Sequence, residues 1–401
     1  MADDFPWLTG ELQKLQRAGL LRRRRRVTSL PNGVCEVDGR QLRDFASNDY
    51  LNLAHDPRVI AAARAALEAA GAGAGASALV SGRTEWHAKL EDQLAAFEGQ
   101  EAALLFPTGY AANLGTIAAL VGSDDIVFCD RLNHASLIDG CRLSGAILRI
   151  YRHDNLERLR RELEKADGFR RRLIVTDSLF SMDGRAAPLV ELCDLGRQYK
   201  ATLLIDEAHA TGIFGERGRG LAEQLQIEDR EIVRIGTLSK GLAAMGGFVA
   251  GSQQLIDWLW NRSRTQMFST ALPPAACAAA SAALDIVEQE PDRRRHLLAL
   301  SDSFRRRLQS AGFNVPADGI GPIVPVILDD PQRAVFVQAQ LEDQGFLVAA
   351  IRPPTVPRRT SRLRITVNCA HNEEDIGRLF AGLCRTIRER QAESLESTKN
   401  K

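Results

Sequence analysis

Three side chains of this 401-residue sequence stand out by type and spacing: Asp206 and His209 in TLLIDEAHATG, and Lys240 in IGTLSKG. A short apolar run leads into each stretch, which reads as a strand whose carboxyl end delivers the polar group, the place where open α/β sheets hold their ligands. A lysine set among Thr237, Ser239 and Gly241 at such a strand end is poorly explained as a surface charge. A buried lysine shifts its pKa readily and can form a Schiff base. A carboxylate, an imidazole and such a lysine are together what pyridoxal 5'-phosphate requires. The lysine holds the aldehyde carbon, and the carboxylate keeps the pyridine nitrogen protonated so that the ring accepts electrons.

Two further stretches fit that cofactor. FPTGYAAN puts Gly109 and Tyr110 at a strand-to-helix turn, whose free N–H groups suit a phosphate. CDRLNHASLIDG puts His134 just after an apolar strand, where an imidazole could lie on the pyridine ring. Each piece also has a plainer reading: structural histidines, an ordinary helix start, Asp206 as a helix cap. Their conjunction, in order, on strand ends of one domain favours the cofactor.

The elements that must position these groups are short apolar strands interleaved with helices from about residue 57 to 251, as in EAALLFPTG, DIVFCD, RRLIVTD and TLLID. That alternation predicts an α/β fold with a mainly parallel sheet covered on both faces. A helix over 7–21 and a hairpin turning at Asp38-Gly39 precede it, and a smaller α+β lobe follows. The expected division is 1–50 (helix and hairpin), 51–288 (large α/β domain), 289–393 (small C-terminal domain) and a frayed tail over 394–401. The glycine-rich stretch GAGAGAS follows an alanine-rich helix rather than a strand, so it is read as a turned loop and not a dinucleotide fingerprint.

Other classes fall away on composition. DEAH invites a helicase reading, and LLRRRRRVTS a nucleic-acid patch. The dipeptide Gly-Lys occurs nowhere, so there is no phosphate loop, and Lys plus Arg (52) balances Asp plus Glu (51). The five arginines are read as a solvated helix end. Seven scattered cysteines form no CxxC pair, which predicts free thiols in a reducing, cytoplasmic setting and no metal site. The most apolar stretch, STALPPAACAAASAALDIV, is broken by prolines, so no membrane span is expected.

The stretches FASNDYLNL, SGRTEWHAKLE, FPTGYAAN, DRLNHASLIDG, DSLFSMDGRAAPL, IDEAHATGIFGERGRG, TLSKG, FSTALPP and AIRPPTVPRRTSRLRIT together resemble the α-oxoamine synthases, fold-type-I pyridoxal-phosphate enzymes. The likeness runs from residue 22 to about 390. AIRPPTVP most resembles the member that condenses L-alanine with a pimeloyl thioester, carried on coenzyme A or acyl carrier protein, in biotin biosynthesis; relatives use glycine. The resemblance implies a homodimer with shared active sites. It gives Lys240 the Schiff base, Asp206 the pyridine nitrogen, His209 the ring oxygen, and His134 stacking on the ring and touching substrate. Gly109, Tyr110, Ser181 and Thr237 would hold the cofactor, and Thr270 would reach the phosphate in the partner subunit. Arg22, or a neighbour in the run, would meet the pimeloyl carboxylate, while Arg352 and Thr355 would face substrate. The sequence departs from the family in three places. SKGLA stands for S-K-A-L-G, exchanging the residues at Gly241 and Ala243; Arg359 replaces a glycine, so a substrate loop that needed positive φ there should sit differently; and Asp177 stands where some members carry glutamate.

Overall fold

The computed structural model describes residues 5–153, 155–228 and 231–399, and divides into two compact units. The larger comprises residues 48–181 and 185–298. Its seven-stranded sheet runs in the order Ala102–Phe106, Gly247–Gly251, Ile232–Thr237, Thr202–Asp206, Arg172–Asp177, Ile126–Asp130, Ile147–Tyr151. Gly247–Gly251 is antiparallel to both neighbours, and the other pairings are parallel. The central strands are buried along their length, with Val127, Val175, Leu204 and Val249 in one core, which is why they read as unbroken apolar runs.

Parallel pairing brings the carboxyl ends of these strands to one edge. Asp177 and Asp206 are register partners on adjacent strands, and Thr237 closes the next strand, opposite Gly247. The helix Gly109–Leu120 starts three residues after Phe106 and is capped by Thr108, whose side chain accepts from the Ala111 N–H at 3.0 Å. Gly109 sits tightly: a Cβ there would lie 3.1 Å from Thr237 Oγ1. GAGAGAS does follow a helix, Pro57–Ala70, and at its end Ser77 bridges Thr270.

The smaller unit corrects the expected division. It joins residues 5–47 and 182–184 to residues 299–399. The physical reason is strand pairing: Val27–Leu30, Val34–Val37 and Arg40–Asp44 form a meander, and Arg40–Asp44 pairs in parallel with Phe346–Leu347. The N-terminal hairpin, with Asp38 and Gly39 both at positive φ as expected, therefore belongs with the C-terminal elements. The split expected at 289 falls at 298, inside the helix Pro291–Ser310. A frayed tail was expected from 394, but the backbone is helical to Lys399; 400 and 401 lie outside the described residues. The first helix, Pro6–Arg17, stops short of Leu21 because Gly19 turns to φ 66°. Arg22–Arg26 therefore lie beyond the helix, in an extended link.

Candidate active site

Lys240 sits in a tight loop after the strand Ile232–Thr237. The loop is closed by Leu238 N–H to Gly246 O (3.0 Å) and Ala243 N–H to Lys240 O (3.0 Å). A Cβ on Gly241 would stand 2.5 Å from the Thr211 carbonyl oxygen, so this loop packs against the turn after Asp206 only with glycine at 241. That turn carries His209, whose Nε2 lies 2.9 Å from Lys240 Nζ. On the other side of the ring, Nδ1 lies 2.6 Å from the hydroxyl of buried Tyr50.

Asp206 is buried. Its Oδ1 accepts from the Ala208 N–H (2.8 Å), and its Oδ2 accepts from Asn113 Nδ2 (2.7 Å). No helix starts directly after Asp206, so it is not a helix cap, and each carboxylate oxygen keeps a second lone pair for another donor. Asn113 also donates to Ser136 Oγ at 2.8 Å, which ties two helices to the carboxylate. Glu207, the second acid of DEAH, takes no part: it is buried against Ser178 Oγ (2.6 Å) and the N–H groups of Leu221 and Ala222.

His134 caps the helix Ala135–Leu143. Its Nδ1 lies 2.7 Å from Ser136 Oγ, and its backbone N–H donates to Asp177 Oδ2 at 2.6 Å. Burial pushes the imidazole below its ordinary pKa, helped by the Lys240 charge and opposed by Asp206 and Asp139, so it is neutral at neutral pH. Burial, and next the Asp206 charge, push the Asp177 carboxyl well above the usual range. The Tyr110 ring meets the His134 ring edge-on, with centroids 6.3 Å apart, and its hydroxyl donates to Asp139.

At the phosphate-sized end, the N–H groups of Gly109 and Tyr110 head their helix, where no intrahelical carbonyl can accept them. Thr237 Oγ1 donates to Gly246 O (2.9 Å) and touches Ser239 Oγ (2.8 Å). Ser181 lies half-buried in the turn past Phe180, and Thr270 is exposed. The cofactor fits these residues on two counts. The glycine cradle at Gly109 keeps two helix-head N–H groups beside Thr237, and a buried carboxylate with spare acceptor capacity shares the strand edge with a lysine–histidine pair.

In the smaller unit, Arg22, Arg352 and Thr355 gather. Arg22 Nη2 reaches the carbonyls of Arg352 (3.5 Å) and Pro353 (3.4 Å) and Thr355 Oγ1 (3.4 Å), all long contacts. Arg25, by contrast, is clamped to Glu342 at 2.6 and 2.7 Å and to Asp38. Arg352 donates to Gly19 O at 2.6 Å, and burial lowers its pKa, with a contribution from Arg22. Arg22, Arg25 and Arg352 border a groove of about 720 Å3 that also takes in Leu21, Arg23 and Phe336. Arg359 holds φ 63° and Ala243 φ 48°, so both positions where glycine was expected keep the left-handed backbone with a side chain attached.

Tyr50 and Asn113 lie within FASNDYLNL and FPTGYAAN, and membership of those stretches is the signal the sequence carries for them.

The comparisons agree with this geometry. The model of the aminotransferase class I and II family matches residues 40–383. The 8-amino-7-oxononanoate synthase of Anaeromyxobacter dehalogenans (strain 2CP-1) is 49% identical over 381 residues, covering 95% of each chain. The chain belongs to the aminotransferase class I and II family, among its 8-amino-7-oxononanoate synthases. The synthase of Geobacter sulfurreducens is 46% identical over 384 residues, 95% of this chain and 98% of its own. Among solved structures, the Sphingomonas wittichii serine palmitoyltransferase superposes with a TM-score of 0.91 at 31% identity, covering 98% of this chain and 100% of its own. The 8-amino-7-oxononanoate synthase of Francisella tularensis gives 0.76 at 25%, covering 87% and 99%. This is a pyridoxal-phosphate enzyme of acyltransferase type on the fold-type-I scaffold.

Proposed function

We propose that the enzyme joins L-alanine to a pimeloyl thioester, on coenzyme A or acyl carrier protein, with loss of CO2 and release of the thiol, giving 8-amino-7-oxononanoate for biotin. The observation that carries this reading is the 49% identity over 95% of the chain to a synthase of that name, with Lys240, His209 and Asp206 gathered at one strand edge. Pyridoxal phosphate, when bound, supplies a carbonyl that captures amines and a ring that accepts an electron pair.

The chain's own residues then divide the work. Lys240 would hold the cofactor and would serve as the general base that takes a proton from the α-carbon of L-alanine. Asp206 pairs with the pyridine nitrogen and His209 with the ring oxygen. Neutral His134 offers a flat face for stacking. Gly109, Tyr110, Ser181 and Thr237 hold the cofactor, Thr237 through its phosphate. Arg22 pairs with the pimeloyl carboxylate, and Arg352 and Thr355 border the substrate. The groove beside Arg22, with guanidinium groups next to Leu21 and Phe336, suits an acyl chain with an anionic end.

A homodimer completes this reading, with Thr270 serving the partner's phosphate. In its support, Val80 and Phe268 stand 78% and 68% exposed beside the bridged pair Ser77 and Thr270. Sedimentation at micromolar concentration should give twice the chain mass. A cytoplasmic site suits the seven free cysteines, and among the described residues no helix is long and apolar enough to cross a membrane.

The serine palmitoyltransferase superposition favours a second reading, L-serine with a long acyl donor. Superposition follows the backbone path, which both groups share, whereas identity samples the side chains. Thiol release decides between them, measured with L-alanine, glycine and L-serine against pimeloyl-, acetyl-, succinyl- and palmitoyl-coenzyme A. Preference for L-alanine with the pimeloyl donor is expected; preference for any other pair overturns the reading.

A further inference from the structure

The buried pair Tyr50 and His209 has a chemical property that the proposed reaction does not use. Tyr50 is 0% exposed and His209 5%. The imidazole is held at both nitrogens, Nε2 by Lys240 Nζ at 2.9 Å and Nδ1 by the Tyr50 hydroxyl at 2.6 Å. The same hydroxyl reaches Asn48 Oδ1 at 3.3 Å.

An ammonium group has only hydrogens to offer. Facing a charged Lys240, Nε2 must be bare, so the ring hydrogen sits on Nδ1 and is given to Tyr50, whose own O–H turns to Asn48. A ring oxygen of the loaded cofactor makes the opposite demand. It is an acceptor, so His209 can meet it only with a hydrogen on Nε2. Nδ1 is then bare and takes the Tyr50 O–H. In each arrangement one ring nitrogen carries a hydrogen and the other is bare. Only the position of that hydrogen changes, and the Tyr50 O–H turns between Asn48 and Nδ1.

The partner at Nδ1 decides whether such a change is possible. A carboxylate or a backbone carbonyl can only accept, and would fix the hydrogen on Nδ1 in every state. A phenol both donates and accepts. We propose that Tyr50 is a positioning residue that lets His209 exchange tautomers, accepting from Lys240 before the cofactor is bound and donating to the cofactor's ring oxygen afterwards. This rests on the site reading above, in which Lys240 holds pyridoxal phosphate and His209 meets its ring oxygen.

The test is 15N NMR of histidine-labelled full-length protein, stripped of and loaded with pyridoxal phosphate, with the His209 signals assigned by comparison with His209→Gln. The expected result is a hydrogen on Nδ1 in the stripped protein and on Nε2 in the loaded one. The same tautomer in both overturns the proposal. A second measurement titrates the visible absorbance of the loaded enzyme against pH. The other titratable groups facing Lys240 and His134, namely Asp177, Asp206 and Asp139, are common to both proteins. Tyr50→Phe should therefore move the midpoint by about half a pH unit or more, about threefold in the proton equilibrium. An unmoved midpoint in the folded variant also counts against the proposal. If the variant does not fold, the wild-type NMR decides alone. Lys240→Ala checks the underlying reading separately. A visible band that survives in it removes the site assignment itself, whereas an unchanging tautomer with the band lost in Lys240→Ala removes only the role of Tyr50.

Discussion

Asp177 and Asp206 lie side by side as register partners at the carboxyl ends of two parallel strands, both buried. Two carboxylates in that position cannot both ionise cheaply, and burial with the Asp206 charge drives Asp177 toward its neutral form. The two acids should therefore respond differently to the same substitution. Asp177→Asn keeps an acceptor for the His134 N–H and removes no charge that the fold relies on. Its unfolding free energy should change by less than about 1 kcal/mol. Asp206→Asn removes the charge that the proposed reaction sets against the cofactor nitrogen. A loss of about 3 kcal/mol in transition-state stabilisation, about a hundredfold in kcat, is expected. Urea unfolding and steady-state kinetics on the two variants check the contrast.

Arg22 and Arg25 make the same comparison within the arginine run. Arg25 is committed to Glu342 and Asp38, whereas Arg22 makes only long contacts to carbonyl and hydroxyl oxygens. Arg22→Ala should raise KM for the pimeloyl donor at least tenfold, about 1.4 kcal/mol or more, with little change in kcat. Arg24→Ala should leave both unchanged, and Arg25→Ala should lower stability rather than donor affinity. Equal KM values in Arg22→Ala and wild type would remove Arg22 from the acyl site.

Ala243 carries φ 48° in the loop that presents Lys240. A left-handed backbone costs a residue with a side chain about 1–2 kcal/mol. Glycine gives back about 0.4–1 kcal/mol through its freer unfolded chain. The first effect is larger, so Ala243→Gly should stabilise by about 0.5–1 kcal/mol, read as a higher urea midpoint. Gly241→Ala should do the reverse and lower activity as well, because its Cβ would meet the Thr211 carbonyl oxygen at 2.5 Å.

His371 is buried and stacked on Phe45, with ring centroids 3.8 Å apart. Burial, helped by Arg43, lowers its pKa to about 3. In the unfolded chain histidine titrates near pH 6.5, so between these values only the unfolded state takes up the proton. The stabilisation is complete above about pH 6.5 and is lost as pH falls toward about 3. From about pH 6.5 to about pH 5 this single group should cost the fold about 2 kcal/mol. His371→Gln should flatten the dependence of the urea midpoint over that interval.

Much of the site could be read in the chain because strand ends announce themselves. TLLI before Asp206 is an apolar run that stops at a polar residue, IVRIG before Thr237 is one broken by Arg234, and the structure ends a strand at each of those two polar residues. Tyr50 and Asn113 are different. Their roles depend on partners 159 and 93 positions away, and no local pattern marks which tyrosine or asparagine a fold will bring to an imidazole or a carboxylate. The division into units was missed for the same reason. The strand that captures the N-terminal hairpin, Phe346–Leu347, carries no local sign of which element it pairs with. The backbone at Ala243 was hidden because an alanine gives no sign that its φ is positive.

The pairing of Arg40–Asp44 with Phe346–Leu347 also has a consequence for synthesis. The amino-terminal meander leaves the ribosome long before its partner strand exists. At about 5–20 residues per second, the intervening stretch of about 300 residues takes about 15–60 s to make. The larger unit needs none of those first residues for its sheet and can complete itself in that interval. Residues 27–44 are thus made early and are among the last to find their place, and translation rate sets how long their strand edge stays open to the wrong neighbour.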